Sequence, residues 1–282
     1  MDMFEIFQDY AKEKEKEEEQ EKKEESQSSS GQYSSNSYSS YSNASNGFNA
    51  SKLFVISAGG SLFFDGKPDS VKIAQFAQAI TELRSRGYSF VIVVGGGKTA
   101  RNYVSAAKAL GANNFELDEI GIQCTRLNAS IMINALENAY PSVLTDVKEA
   151  KNVILSERIA VFGGLMPGIT TDAVSALIAE YLGAIGLVNL TNVDGVYSAD
   201  PKKSERAKFF PALGYEKLIT LLKVSDSKPG QNLILDLPCA LIIKRSKIKT
   251  YVLNGNDLEN FKSMVIGMDF KGTIISEGKE EE

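Results

Sequence analysis

Histidine and tryptophan are both absent from the 282 residues, and cysteine occurs only twice. Without histidine there is no Ser–His or Cys–His nucleophile pair, no imidazole acid or base, and no histidine metal site. Cys124 and Cys239 are too few for a four-cysteine zinc site and read as small buried apolar side chains. No run approaches the roughly 18 uninterrupted apolar residues of a membrane span. The most apolar region, Ala173 to Leu190, is broken by Glu180. With no secretory signal at the start, the expected compartment is the cytoplasm. What remains is chemistry built on lysine, arginine, carboxylates, backbone amides and a metal ion borrowed with a substrate.

Charge is unevenly spread. Residues 1–50 hold 5 Lys and 11 Asp or Glu, a net of −6, whereas the chain beyond position 50 carries 26 basic and 25 acidic residues, a net of +1. The body therefore has no basic excess of the kind nucleic-acid binding uses, and no nucleic-acid partner is expected. Residues 12–25 (KEKEKEEEQEKKEE) have no apolar stripe, and residues 26–50 contain 11 Ser among 25. Such composition buries too little apolar surface to offset the entropy of ordering, so 1–50 is expected to be a disordered acidic, Ser-rich leader.

From Lys52 the punctuation changes. LFVISA (53–58) ends at Gly59–Gly60, and YSFVIVV (88–94) ends at Gly95–Gly96–Gly97. RIAVF (158–162) ends at Gly163–Gly164, and AIGLVNL (184–190) ends at Thr191–Asn192–Val193–Asp194–Gly195. Between them lie helical spacings: 69–86, with Val71, Ile73, Phe76, Ile80 and Leu83 apolar; a helix after Gly97; a long stretch from Glu119 to Ala139; and 171–182. Near-continuous apolar runs alternating with helices predict an α/β fold: a three-layer αβα sandwich around a mainly parallel open sheet, forming one unit over 51–282.

Four of these strands finish in small or Gly-rich turns. In an open parallel sheet the carboxyl ends of the strands form the ligand crevice, and Gly lets backbone N–H groups approach an anion. Four such turns in matching positions predict a site for several phosphates. GGGKTA (95–100) is not a P-loop, because Ile92 stands where that loop needs Gly. Gly95, Gly97 and Ala100 do fit G-x-G-x-x-A, with Asp118 about 20 residues on, but Asp118 falls at a helix start rather than at the end of a second strand, which argues against a dinucleotide fold.

The order of SAGGS (57–61), VVGGGKTAR (93–101), DEIGIQCTRLNA (118–129), MPGITTDAV (166–174) and TNVDGVYSADPKK (191–203) resembles the archaeal-type UMP kinases of the amino-acid-kinase superfamily. The likeness runs from Lys52 to Ile275. It implies ATP and UMP lying end to end across the strand carboxyl ends, with a UMP-binding N-terminal part and an ATP-binding C-terminal part. By the same resemblance Gly60, Ser61, Gly97 and Arg101 touch the ATP phosphates, and Thr191, Tyr197 and Asp200 surround the adenosine. Gly96, Asp118 and the loop Leu165, Met166, Pro167, Gly168, Ile169, Thr170 and Thr171 hold UMP, Asp118 through the ribose hydroxyls. The family is typically hexameric. Three positions depart from its pattern: Ser57 stands where many relatives have Lys or Asp, Ile169 where archaeal ones commonly have His, and Leu241 where Lys is frequent.

The residues support roles of their own. UMP already presents an oxyanion, so positioning and charge neutralisation carry the transfer. Lys98, at a helix N-terminus beside three Gly N–H groups, is the leading cation, and Arg101 lies one turn along the same face. Asp172 serves either as a helix cap or, as the superfamily implies, as organiser of the catalytic lysine. Asp194 fits a turn. Mg²⁺ is expected to arrive with ATP, with no protein-built metal cage. The expected activity is ATP-dependent phosphorylation of UMP to UDP for pyrimidine nucleotide synthesis. The rivals are a same-fold kinase for another small phosphate or carboxylate acceptor and a nucleotide-binding regulatory protein without turnover.

Overall fold

The computed structural model describes residues 52–199, 201, 204, 206–226 and 234–278. The expected leader and Asp200 lie outside these residues.

Strands β1 (Leu53–Ala58), β2 (Ser89–Val94), β3 (Ala160–Phe162) and β4 (Gly186–Thr191) are buried almost throughout. That burial is the reason they read as continuous apolar runs rather than alternating ones. Helix α1 (Gly60–Phe63) follows β1, and α2 (Ser70–Ser85) returns to β2. Asp69 caps α2 by accepting from Lys72 N at 3.1 Å. Its apolar stripe is buried as expected, except that Val71 faces solvent at 65 % exposure.

After β2 come α3 (Gly97–Ala109) and the long α4 (Asn114–Ala135). The expected stretch 119–139 is thus displaced toward the N-terminus. An Asn113–Glu116 capping box starts the helix before Asp118, and extended backbone at Leu136 stops it. Helix α5 (Glu149–Leu155) leads into β3, and α6 (Thr171–Leu182) lies between β3 and β4, closing on Gly183 at φ 61°.

Beyond β4 the chain adds elements that the periodicity did not reveal. These are the hairpin pair β5 (Val196–Tyr197) and β6 (Phe209–Phe210), then β7 (Ala212–Gly214), α7 (Tyr215–Asp226) and α8 (Leu237–Arg245). The described chain ends with β8 (Thr250–Asn254), α9 (Leu258–Val265) and β9 (Thr273–Ser276). The seven-stranded sheet runs β3-β2-β1-β4-β8-β9-β7. It is parallel through β8; β9 pairs antiparallel to β8, and β7 runs parallel to β9.

Two apolar clusters cover the sheet faces. One joins α5, α6, α7 and α8 to β1–β4, and the other joins α2, α4 and α9 to the opposite face. The αβα sandwich expected from the sequence is therefore present. Its decisive feature is the order β2-β1-β4: the chain winds outward from β1 to β3, then crosses back to β4. The carboxyl ends of β1 and β4 thus flank a topological switch point, where a crevice opens.

Candidate functional site

At the switch point the backbone comes together before any side chain does. Gly59 N donates to Leu190 O at 3.0 Å, and Gly95 N donates to Ala58 O at 3.0 Å, tying the exits of β1, β2 and β4. A Cβ on Gly60 would lie 2.1 Å from Gly97 N, and one on Gly97 would lie 2.4 Å from Gly60 O. Only glycine permits this backbone-on-backbone contact, and Gly97 also adopts φ +63°. Neither α1 nor α3 has a side-chain N-cap; in the first turn of α3 the Lys98 N–H is taken by Phe64 O, and no side chain caps those of Gly97 and Thr99. Thr99 Oγ1, in the same first turn, is buried without a hydrogen-bond partner.

Above these turns lies a cleft of about 670 Å³. Of the residues expected at ATP, it is lined by Gly60, Ser61, Gly97, Arg101, Thr191 and Tyr197, and of those expected at UMP by Gly96 and Thr171. Asp172 lines it as well. Sequence reasoning missed Asp65, Asn189, Ser198 and Ile234. Asn189 carries no motif signal: it is one polar residue in an apolar strand, and its amide donates to Ile234 O at 2.8 Å. Tyr197, in the β5–β6 ribbon, packs its ring 5.3 Å from that of Phe209.

The loop Leu165–Thr171 forms a second group beside the cleft, reaching its lining at Thr171. Asp118 accepts from Gly168 N at 2.8 Å. Arg126 forks onto Gly164 O and Leu165 O, both at 3.1 Å. Thr125 Oγ1 accepts from Gly164 N at 2.6 Å, and Asn128 donates to Gly95 O at 3.0 Å. The TRLNA stretch of α4 is thus a brace that holds the β2 and β3 turns. Leu165 and Ile169 pack against the core, while Met166 is 54 % exposed. Leu165, Met166, Pro167, Gly168, Ile169 and Asp118 flank the cleft without lining it. Thr170 caps α6, accepting from Ala173 N and donating to Asp236 at 2.5 Å. The cap is therefore Thr170, and Asp172 is left for another role.

Asp172 accepts from Ser57 Oγ at 2.7 Å. Burial pushes its carboxyl up to about 6, against the pull of the Ser57 hydroxyl and with a further push from Asp236. Asp236 is better supplied, accepting from both Thr170 Oγ1 and Cys239 N.

Lys98 stands apart. Its amide donates to Phe64 O at 3.1 Å, its aliphatic stem lies near Gly66, and the side chain is exposed outside the cleft lining. Among the described lining residues the charged side chains are Asp65, Asp172 and Arg101. Leu241 is 48 % exposed on α8, away from the cleft. Asp194 accepts from Asn254 at 3.1 Å and pairs with Lys271 at 2.6 Å, and that hydrogen-bonded ion pair lowers its carboxyl below the usual range. It pins the turn rather than the cleft. Cys124 and Cys239 are free and buried, and burial raises both thiols.

A switch-point cleft built from glycine turns and uncapped helix starts defines an α/β phosphate-binding architecture. The amino acid kinase family model matches residues 52–254, and the chain belongs to that family. Uridylate kinase from Pyrococcus abyssi is 46 % identical over 222 residues, covering 78 % of this chain and 98 % of the relative. Uridylate kinase from Archaeoglobus fulgidus is 44 % identical over 222 residues, covering 79 % and 99 %. The crystal structure of uridylate kinase from Archaeoglobus fulgidus superimposes with a TM-score of 0.70 at 42 % identity, covering 79 % of this chain and 99 % of that one.

Proposed function

We propose that the protein transfers the γ-phosphoryl group of ATP to UMP, yielding UDP and ADP. The observation that carries this reading is the cleft itself. Three strand exits converge on it with glycine contacts too close for any side chain, and an acceptor loop braced by α4 lies beside it. The kinship to uridylate kinases selects UMP among acceptors.

In this reading the N–H groups of Gly60, Ser61 and Gly97, together with the Arg101 guanidinium, hold the ATP phosphates. Thr191, Tyr197 and Asp200 surround the adenosine. Gly96, Asp118 and the loop 165–171 hold UMP, with Thr170 and Thr171 offering hydroxyls where Ile169 replaces a histidine. The UMP phosphate is itself the nucleophile, so alignment and charge neutralisation do the work. Arg101 faces the cleft, and Lys98 reaches the transferring group from the rim. Asp172 takes the role that the superfamily resemblance gives it, organiser of the catalytic lysine.

Two carboxylates and one guanidinium cannot balance two nucleotides, so further positive charge must enter with the substrate. Asp65, which makes no hydrogen bond or ion pair among the described residues, offers the hard oxygen donor that Mg²⁺ takes alongside phosphate oxygens. The ion would neutralise charge on the β- and γ-phosphates. Cytoplasmic residence and a homo-hexamer complete the proposal; among the described residues no helix is long and apolar enough to cross a membrane.

The test is transfer of labelled phosphate from ATP to UMP, CMP, dCMP and carbamate with Mg²⁺ present. Transfer to UMP in clear preference is expected. UMP binding with no transfer to any acceptor would overturn the assignment in favour of a regulatory protein.

A further inference from the structure

Ser57 is the penultimate residue of β1, 3 % exposed, in register with Val93 of β2 and Asn189 of β4. A serine there is out of keeping with the apolar residues around it. A buried hydroxyl needs a partner, and this one has chosen an anion 115 residues away: Asp172 Oδ1 at 2.7 Å.

We propose that Ser57 is a positioning residue whose hydroxyl aims the Asp172 carboxylate into the cleft and donates to it there. The inference rests on the phosphotransfer reading above and assigns a role to the residue that stands where many relatives have Lys or Asp.

The surroundings make the hydroxyl indispensable. Asp172 sits in the first turn of α6, whose N–H groups favour a negative charge, but Thr170 already caps that helix. Asp236, immediately before α8, presses a second negative charge on it and is satisfied by two donors of its own. From α8 the Cys239 thiol, itself pushed well up by burial, stays protonated and neutral. Arg101 and Asp65 are the other charges on the cleft lining, and neither forms an ion pair or hydrogen bond with Asp172. The Ser57 hydroxyl is thus the one side-chain donor to Asp172 among the described residues. Asp172 is half-buried, and a hydrogen bond to a charged group so placed is worth enough to move proton affinity by about tenfold, or one pH unit. A lysine in this place would supply a charge; serine supplies only a dipole. The ionisation of Asp172 is thereby left sensitive to pH near neutrality.

The experiment compares the full chain with Ser57→Ala and Ser57→Thr. Two readouts are used: kcat/KM for ATP between pH 5 and 9, and the ¹³C carboxyl titration of Asp172 in the free protein, assigned with Asp172→Asn. Ser57→Ala should move the acidic limb up by about one pH unit, cutting activity about fivefold at pH 6 and nearly tenfold at pH 5, and leaving it within about twofold at pH 9. The carboxyl titration should move by the same amount, and Ser57→Thr should restore both. A uniform loss at every pH, or an unmoved Asp172 titration, would overturn the role. If the wild-type chain transfers no phosphate to UMP, the functional reading fails, while the carboxyl titration still decides the role of Ser57. Should Ser57→Ala not fold, the Ser57→Thr and wild-type titrations must coincide, and a difference of a full unit between them would refute the proposal.

Discussion

Two neighbouring parts of the site are built in opposite ways. The turns at Gly59–Gly60 and Gly95–Gly97 are backbone packed on backbone, with no room for a methyl group. The loop from Leu165 to Thr171 is held from outside by side chains: Arg126 and Thr125 at one end, Asp118 in the middle, Thr170 and Asp236 at the other. A Cβ on Gly168 would meet nothing within 4 Å. In the function we propose, the first region meets phosphate groups, which are common to all nucleotides and can be held by backbone alone. The second meets the acceptor, and side-chain bracing can be altered one contact at a time.

Breaking the first region should have the larger effect. Gly60→Ala puts a methyl group against the backbone of Gly95 and Gly97, and relief requires moving a strand exit. We expect at least ~3 kcal/mol of destabilisation and loss of phosphate transfer, read by urea denaturation and the labelled-ATP assay. A wild-type unfolding midpoint would show the turns to be pliable. Lys98→Ala should lower kcat by about 100-fold, the scale of one lost transition-state donor. If the change stays within about threefold, Arg101 and the metal ion carry the charge without it, as the exposed position of Lys98 would then explain.

Asp172→Asn separates function from stability. Burial holds the folded carboxyl near 6, above its ordinary value of 3.8, so the folded state binds the proton more tightly than the unfolded chain does. The contribution of Asp172 to wild-type stability therefore falls as pH rises from about 4 to about 6 and is level above that. The asparagine variant escapes this loss. It should be more stable by ~1–3 kcal/mol at pH 7 and equal to wild type near pH 3.5, while turnover collapses. Equal stability at both pH values would mean that the carboxylate is better solvated than the structure places it.

The second region should respond more mildly. Asp118→Ala removes the acceptor of the Gly168 amide and should raise the KM for UMP about tenfold with kcat nearly unchanged. A collapsed kcat at constant KM would remove Asp118 from ground-state binding. Gly168→Ala, strained only by φ +80° in open space, should cost about 1 kcal/mol and shift the KM for UMP by less than about threefold. Unfolding of this variant would erase the distinction between the two regions.

Much of the framework was legible because its signals are local. The strands β1 to β4 are buried on both faces and announce themselves as apolar runs, and the Gly turns mark their ends. The later strands β5 to β9 were not legible. They are two to five residues long and half-buried, and β7 and β9 lie beyond the parallel core. Helix α4 starts earlier than its apolar pattern indicates, because the Asn113–Glu116 capping box sets its first turn. The cleft-facing glycines, Arg101 and Tyr197 could be named from motifs, whereas Asn189, Asp65 and Ile234 had no pattern to reveal them.

The amino-acid sequence by itself determined the αβα alternation and where the Gly turns fall, because both depend on residues within a few positions of one another, and its composition alone excluded histidine chemistry. Only the tertiary structure decided that Ser57 meets Asp172, that Arg126 reaches the carbonyls of Gly164 and Leu165, and that Lys98 is exposed outside the lining while Arg101 lines the cleft. Those outcomes follow from strand order and register across more than a hundred residues in the case of Ser57 and Asp172. The burial that raises a carboxyl exists only once distant segments have closed over it.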